Sequence, residues 1–508
     1  MPGEPQRIVN LHIFHLLQTL SEHTIDLDVG VPARGLHGEA YRGHVFWDEL
    51  FVFPYLTLRF PATARGLLMY RWRRLPVARQ AAADAGFRGA MYPWQSGSSG
   101  RDETPRLHLN PASGRWLEDH TDLQRHVGIA VAHNVWQYCQ ATGDLTFLAG
   151  PSVEMLVEIA RFWCSMATYN RADDRYEILG VVGPDEYHDR YPGSDRPGID
   201  NNAYTNVMAA RVIRHALDAL ALLPEHQRTA ARERLRLDYD ETDLFEHVSR
   251  KMHVPFHGDG ILSQFEGYDR LAELDWAAYR ARYGNIRRLD RILEAEGDTV
   301  ETYQASKQAD VLMLYFLLGE RELRATLALL GYEFDAAAAG RTIDYYLSRT
   351  SHGSTLSAVV HAWVLASKDR SASWQFFLEA LASDVADVQG GTTREGIHLG
   401  AMAGTIDLLQ RCYTGLELRD DVLRLEPRLP SELTTMEFQL RYRGHWGVEL
   451  RCTHDRVRVG LLRSAAAPIK VALDGQARTL APGEAWEVNL SDPRAAMRPS
   501  DRKVAVTR

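Results

Sequence analysis

Residues 390–416 read GGTTREGIHLGAMAGTIDLLQRCYTGL. The stretch opens on glycines and hydroxyls and turns apolar from Ala401 to Cys412. A polar, Gly-containing loop that runs straight into an apolar helix recurs upstream. Thr350-Ser351-His352-Gly353-Ser354-Thr355 precedes the apolar run Ser357–Ala366, and Ser306-Lys307-Gln308-Ala309-Asp310 opens the run that ends at Leu318. Further helices are predicted around Ile8, Leu11, His12 and His15, over Val127–Tyr138, over Met155–Met166 and over Trp374–Leu381. Apolar residues at three- and four-residue spacing carry that prediction. A helical region of roughly 400 residues is larger than one bundle core supports, so a ring or solenoid of helical hairpins fits.

The period changes after Leu418. Leu425-Glu426-Pro427-Arg428-Leu429-Pro430 is a Pro-punctuated linker. Phe438, Leu440 and Tyr442 then alternate with polar residues, as do Val448, Leu450 and Cys452, and Val457, Val459 and Leu461. Ile469, Val471 and Leu473 precede Asp474-Gly475, a hairpin-turn signal. Period-two patterning predicts a small antiparallel β domain. The expected organisation is a linker and first helix over 1–30, a mainly α domain over 31–420, a β domain over 421–495 and a loose charged tail over 496–508.

Composition narrows the class. The 508 residues are 45% hydrophobic, 25% charged and 9% aromatic, which excludes long disorder, collagen and a disulfide-stapled miniprotein. A net charge of −9 and a pI near 6.1 argue against nucleic acid and membrane surfaces as partners. The four cysteines are scattered, with no CxxC pair, so neither a zinc site nor a disulfide framework is expected. Reduced thiols point to the cytoplasm. His12 and His15 interrupt the N-terminal apolar run, which therefore does not read as a signal peptide.

Several loops read as chemical. In Gly43-His44-Val45-Phe46-Trp47-Asp48-Glu49, Trp47 can stack on a sugar ring and Asp48 can accept its hydroxyls. Taken alone, the segment reads more readily as a core Trp beside an acidic helix start. Gly89–Gly97 crowds Tyr92, Trp94, Gln95 and Ser96 into a loop. Gly183-Pro184-Asp185-Glu186-Tyr187-His188 sets two carboxylates on a turn, where apolar surroundings can tune one as a proton donor. Asn202, downstream, reads as a sugar partner or a plain N-cap. Lys307 and Gln308 offer donors to hydroxyls. The loops at 350–357 and 389–400 combine Ser, Thr, His and Gly before helices, a composition suited to an anion. No P-loop and no GxSxG elbow occurs. His352, His361 and His398 match no metal motif, so no metal is expected.

Six ordered motifs together resemble glycoside hydrolase family 65: GHVFWDELFVFPY, GAMYPWQSGSSGRDETP, GPDEYHD…DNNAYTN, KQADVLMLYF, TSHGSTLS and GGTTREGIHLGAMAGTIDLLQRCYTGL. The resemblance implies a six-hairpin (α/α) toroid with a small C-terminal β domain. It implies an inverting phosphorylase that converts an α-linked glucose disaccharide and inorganic phosphate to β-glucose 1-phosphate and free sugar. Trehalose comes first, then kojibiose or maltose. Glu186 takes the place of the general acid. Trp47, Asp48, Lys307 and Gln308 match the positions that hold the non-reducing glucose. His352, Ser354, Thr355, Gly390 and Gly391 match the phosphate site. Phosphate is a co-substrate, and no other cofactor is implied; a homodimer is compatible. The family also carries an N-terminal β-sandwich, which the resemblance leaves unmatched here. Two alternatives follow: an inverting hydrolase with Glu395 as base, and a non-catalytic fragment lacking that sandwich.

Overall fold

The structure, a computed structural model, describes residues 3–490. Twelve helices form two concentric layers. They are α1 (Glu4–Thr19), α2 (Glu49–Arg59), α3 (Pro61–Arg73), α4 (Val127–Thr142), α5 (Val153–Met166), α6 (Ala203–Leu222), α7 (Tyr239–Lys251), α8 (Val311–Leu329), α9 (Ala336–Leu347), α10 (Thr355–Leu365), α11 (Arg370–Val385) and α12 (Leu399–Asp407). The even-numbered helices are the inner layer. Each packs on the next, and α12 packs on α2, which closes the ring. The odd-numbered helices pack outside them. This is the (α/α) toroid expected.

Local chemistry explains the ring. The inner helices are apolar nearly all round, as buried helices must be; α12 buries every residue from Leu399 to Asp407. Small residues let neighbours close up. A Cβ on Gly404 would meet Val359 Cγ1 at 2.7 Å, so only glycine permits the approach of α12 to α10. Side-chain caps from Asn202, Asp238, Asp335, Ser354 and Asp369 start α6, α7, α9, α10 and α11.

The first helix belongs to the ring and is not a linker ahead of it. Helix α1 packs on α12 and α11, and His12 Nδ1 lies 2.8 Å from Thr405 Oγ1. The run from Lys307 departs from expectation in another way: helix α8 begins only at Val311, because Asp310 has non-helical backbone angles.

Among the described residues the C-terminal domain has eight strands: β1 (Glu417–Arg419), β2 (Val422–Leu425), β3 (Thr435–Tyr442), β4 (His445–Thr453), β5 (Arg456–Leu461), β6 (Ile469–Leu473), β7 (Gln476–Leu480) and β8 (Ala485–Asn489). They form two sheets, β8-β5-β4-β3 and β7-β6-β2-β1. The first is antiparallel throughout, whereas β2 and β6 pair in parallel. Alternation reveals a strand's two faces and not its partner's direction, so the parallel pair was not legible. The expected tail at 496–508 lies outside the described residues.

The inner helices share one polarity. Their N-termini gather at the rim that carries Asp48, Asn202, Asp310, Ser354 and His398. Their C-terminal halves line a cavity of about 1090 Å³ at the opposite end, with Phe53, Trp136, Arg211, Glu322, Trp363 and Arg411 on its wall. Each N-terminus carries about half a positive charge, so the first rim favours anions and the second does not. Among the described residues no helix is long and apolar enough to cross a membrane.

Candidate active site

The rim is organised around the turn at Gly183–Glu186. Glu186 adopts a left-handed conformation with φ 68°, which costs free energy outside glycine and recurs at functional sites. Gly183 cannot be replaced: a Cβ there would meet Asp310 Oδ2 at 2.3 Å and Asn202 Nδ2 at 2.5 Å. The Glu186 carboxylate receives Lys307 Nζ on Oε2 at 2.6 Å and Gln308 Nε2 on Oε1 at 3.0 Å. Gln308 Nε2 also donates to Pro184 O at 2.7 Å. Three of the residues singled out in the sequence thus meet at one carboxylate.

The neighbouring Asp185 does different work. It is buried, and its oxygens accept Lys307 N at 2.7 Å and Gln264 Nε2 at 3.0 Å, with His188 Nδ1 at 2.7 Å. This cluster fixes where Lys307 leaves the backbone. Asp310 accepts Asp185 N at 3.3 Å and Asn202 Nδ2 at 3.1 Å. Burial, with the charge of Asp185, holds the Asp310 carboxyl well above the usual range. Asn202 is the N-cap of α6 as well, through Thr205 N at 2.9 Å. Asp185, His188, Gln264 and Asp310 were not singled out by sequence. Asp185 and Asp310 sit inside quoted motifs, but Gln264 has no local signal.

The loop at 350–355 is stitched to the Lys307 segment. Ser351 N donates to Ser306 O at 2.8 Å and Gly353 N to Lys307 O at 2.7 Å. Tyr187 Oη lies 2.7 Å from Ser351 Oγ. His352 Nδ1 lies 2.9 Å from Ser357 Oγ, and burial, helped by Arg287 and Arg280, pushes this imidazole down to about 4. His352 is therefore neutral at physiological pH. Ser354 caps α10 through Leu356 N at 3.3 Å, and Thr355 is buried in its first turn. Gly353 has no room for a side chain, since a Cβ would meet Arg287 O at 2.4 Å and Lys307 Cγ at 2.8 Å. Gly353→Ala should push Lys307 off Glu186 and lower kcat by about 100-fold, as a misplacement near 1 Å does; steady-state kinetics with an intact circular-dichroism spectrum checks this.

The loop at 387–398 differs from expectation. Gly390 N donates to Asp387 O at 2.8 Å and Gly391 N to Asp387 Oδ2 at 2.6 Å. The N–H groups of both glycines matched to the phosphate site are thus taken up within the loop by Asp387. His398, in the same loop, meets Asp384, and Arg34 meets His398 and the backbone at Gly396. Asp384 Oδ1 and Oδ2 lie 2.7 Å from His398 Nδ1 and 2.8 Å from His398 N. Arg34 Nη1 donates to Gly396 O at 2.6 Å and lies 3.1 Å from His398 Nδ1. Arg34 was missed because nothing local to Ala33-Arg34-Gly35 marks it.

Trp47 and Asp48 part company. Trp47 is 2% exposed and packs among Trp94, Phe51, His126 and Tyr204. The core reading describes it. Asp48 sits beside Gly400, where a Cβ would meet its Oδ1 at 3.4 Å. Burial pushes Asp48 up to about 6, with Arg34 pulling it back and Glu186 and Glu49 pushing further. Between about pH 4 and 6 the folded state holds a proton that the unfolded chain has lost. Asp48 therefore contributes stability at low pH that disappears as pH rises through 6. Asp48→Asn should raise stability at pH 7 by on the order of 1–3 kcal/mol and should abolish sugar turnover. Thermal unfolding and kinetics on one preparation check both signs. In the parent protein, kcat/KM should fall as pH drops below about 6.

Comparison with known proteins follows this geometry. Residues 10–407 match the glycosyl hydrolase family 65 central catalytic domain and residues 416–480 that family's C-terminal domain. The chain is 59% identical over 488 residues to an uncharacterized glycosyl hydrolase of Mycobacterium tuberculosis H37Rv, covering 96% of this chain and 37% of the relative. It is 40% identical over 442 residues to trehalose 6-phosphate phosphorylase of Lactococcus lactis, covering 86% and 56%. It is 33% identical over 481 residues to kojibiose phosphorylase of Escherichia coli K12, covering 94% and 58%. The chain thus spans 37% to 58% of these relatives' lengths. A solved structure of a putative kojibiose phosphorylase from the human microbiome shares the fold, with TM-score 0.78, 22% identity, and coverage of 96% of this chain and 66% of that one. Both domain matches, together spanning most of the chain, show the family: the chain belongs to glycosyl hydrolase family 65.

Proposed function

We propose that this chain catalyses inverting phosphorolysis of an α-glucosidic disaccharide to β-glucose 1-phosphate and a free sugar. The observation that carries the reading is Glu186, held on a left-handed turn between Lys307 and Gln308 at the rim where the inner helices begin. Glu186 gives its proton to the glycosidic oxygen, and the C1–O bond breaks. A phosphate oxygen attacks C1 from the opposite face, which inverts the α linkage to β. Phosphate arrives already anionic, so no carboxylate base is required. The helix N-termini, Arg34, His398 and the hydroxyls of the 350–355 loop stabilise its charge.

The identities to a trehalose 6-phosphate phosphorylase and a kojibiose phosphorylase support phosphorolysis over hydrolysis. Glu395, the base that hydrolysis would use, is exposed, which does not suit a residue meant to hold a catalytic water. Trehalose is the first substrate in this reading, with kojibiose and maltose next. Phosphate is a co-substrate, and no metal, nucleotide or redox cofactor takes part. A reducing cytoplasm suits the four unpaired cysteines.

The test is glucose release from trehalose, kojibiose and maltose, with and without inorganic phosphate, with the product anomer read by NMR. Phosphate-dependent formation of β-glucose 1-phosphate is expected. Release indifferent to phosphate would transfer the reaction to hydrolysis with Glu395 as base.

A further inference from the structure

The cavity at the C-terminal ends of the inner helices lies apart from the chemistry at Glu186. Asn202 stands on the rim and His215 on the cavity wall. At 1.5 Å per residue they are roughly 20 Å apart along α6, so a sugar seated at Glu186 does not reach the cavity. Helices α2, α4, α6, α8 and α10 supply its wall, together with the segment from Gly415 to Arg428. Helix α8 breaks there: Gly319 has φ 70° and ψ 162°, and residues on both sides of the break line the cavity. Its 1090 Å³ sits at the upper limit for small-molecule sites, about 300–1,000 Å³, which gives room for more than one sugar ring.

The wall combines aromatic rings with polar groups. Trp136 stacks on His215, with ring centroids 4.5 Å apart and 10° between the planes. Trp363 meets Phe316 edge to face at 4.9 Å, and the Arg411 guanidinium lies over its ring at 5.0 Å. Three arginines are already paired. Arg211 and Arg419 both hold Glu322, and Arg411 Nε donates to the buried Asp407 Oδ1 at 2.7 Å. Burial, with Arg411 and Arg211 nearby, pushes His133 down to about 3. Burial, with Arg211, His133 and Arg419, drives His215 well below the usual range. Both imidazoles are therefore neutral at physiological pH, each with one donor and one acceptor nitrogen. Among the described residues, Asn134 Nδ2, Arg211 Nε and the Nδ1 atoms of His133 and His215 are buried in wall residues with no hydrogen-bond partner in the protein. Buried polar atoms are costly to leave unpaired, so this wall has bonding capacity for a partner from outside.

Charge selects the class of ligand. The inner helices turn their negative ends to the cavity. Asp218, Glu320 and Glu426 share the wall with Arg424 and Arg428, so an anion gains little there. A cation meets Arg211, Arg411 and the N–H groups of Asn134. A hydrocarbon would leave the buried polar groups unpaired. A neutral molecule whose hydroxyls both donate and accept, and whose ring faces are apolar enough to lie on indole, satisfies the whole wall.

We infer that this cavity is a second sugar site, separate from the catalytic rim, which takes a neutral oligosaccharide against Trp136 and Trp363. The inference is independent of the phosphorolysis reading.

The test is calorimetry on the full chain with maltotriose and with trehalose, in phosphate-free buffer. At least one of these sugars should give two binding events. Ala325→Trp sets an indole in the mouth of the cavity from an exposed position of α8, and it should remove one event and keep the other. Gln137→Leu, on the wall of α4, should weaken that same event by about 3- to 10-fold, the range for one hydrogen bond. Crystals soaked in the sugar that binds should show it against Trp136 and Trp363. Events that Ala325→Trp leaves untouched, no binding of either sugar, or water alone in the soaked cavity would each overturn the site. A single event that Ala325→Trp abolishes would leave this site standing and take sugar binding away from the rim.

Discussion

Glu186→Gln leaves a folded enzyme that binds its sugar and barely turns it over. The amide keeps the shape of the carboxyl, but its single oxygen can accept from only one of Lys307 and Gln308, and it has no acidic proton to give. The expected loss in kcat is roughly 10²- to 10⁴-fold, the usual share of a general acid, and more for a poor leaving group. A substrate with a good leaving group, such as α-glucosyl fluoride, needs little protonation, so the variant should recover most of its rate on it. KM for the natural sugar should change little, since the lost interaction belongs to the transition state. Wild-type turnover by the variant would remove Glu186 from the role, and loss of rate on both substrates alike would assign it a structural one.

Arg71→Met is the largest stability effect. Arg71 and Glu49 are 1% and 2% exposed, with Nη2 and Oε2 3.1 Å apart. Arg71 Nη2 also donates to Phe46 O at 3.2 Å, and Arg71 O accepts Tyr92 Oη at 3.0 Å. The pair thus ties the turn bearing Trp47 and Asp48 to the loop bearing Trp94. Removing the guanidinium strands a buried carboxylate, which costs about 3–5 kcal/mol. The double variant Arg71→Met, Glu49→Leu should recover much of that, because replacing a buried pair with apolar groups is close to neutral. Urea unfolding of parent, single and double variants reads the difference. Equal midpoints for parent and Arg71→Met would show that water reaches Glu49.

The period switch near Leu418 was legible because helices and strands repeat differently, and it divides the chain where β1 begins at Glu417. Loop-then-helix units were legible for the same reason. Closure into a ring was not, since contacts such as α12 on α2 join residues far apart in the chain. Glu186, Lys307 and Gln308 were singled out through their motifs, and the structure brings the three side chains together. The reason they matter, two donors on one carboxylate, depends on a turn whose partners are Asp185, Gln264 and Asp310. Trp47 shows the opposite case: its motif is strong while its ring is packed in the core, and only three-dimensional burial separates those possibilities. Arg34 carries no local pattern, because an arginine's use is decided by which partners the fold brings near it.

The contact of His12 with Thr405 spans 393 residues. At a synthesis rate of roughly 5–20 residues per second, helix α1 leaves the ribosome on the order of 20–80 s before α12 exists to receive it. Through that interval Val9, His12 and Leu16, all buried in the finished ring, lack the cover that α11 and α12 give them, and α2 waits equally for its seal against α12. The nascent chain is then an open crescent with two sticky ends. Its safe arrival depends less on how stable the closed ring is than on how long the crescent can be kept from meeting another.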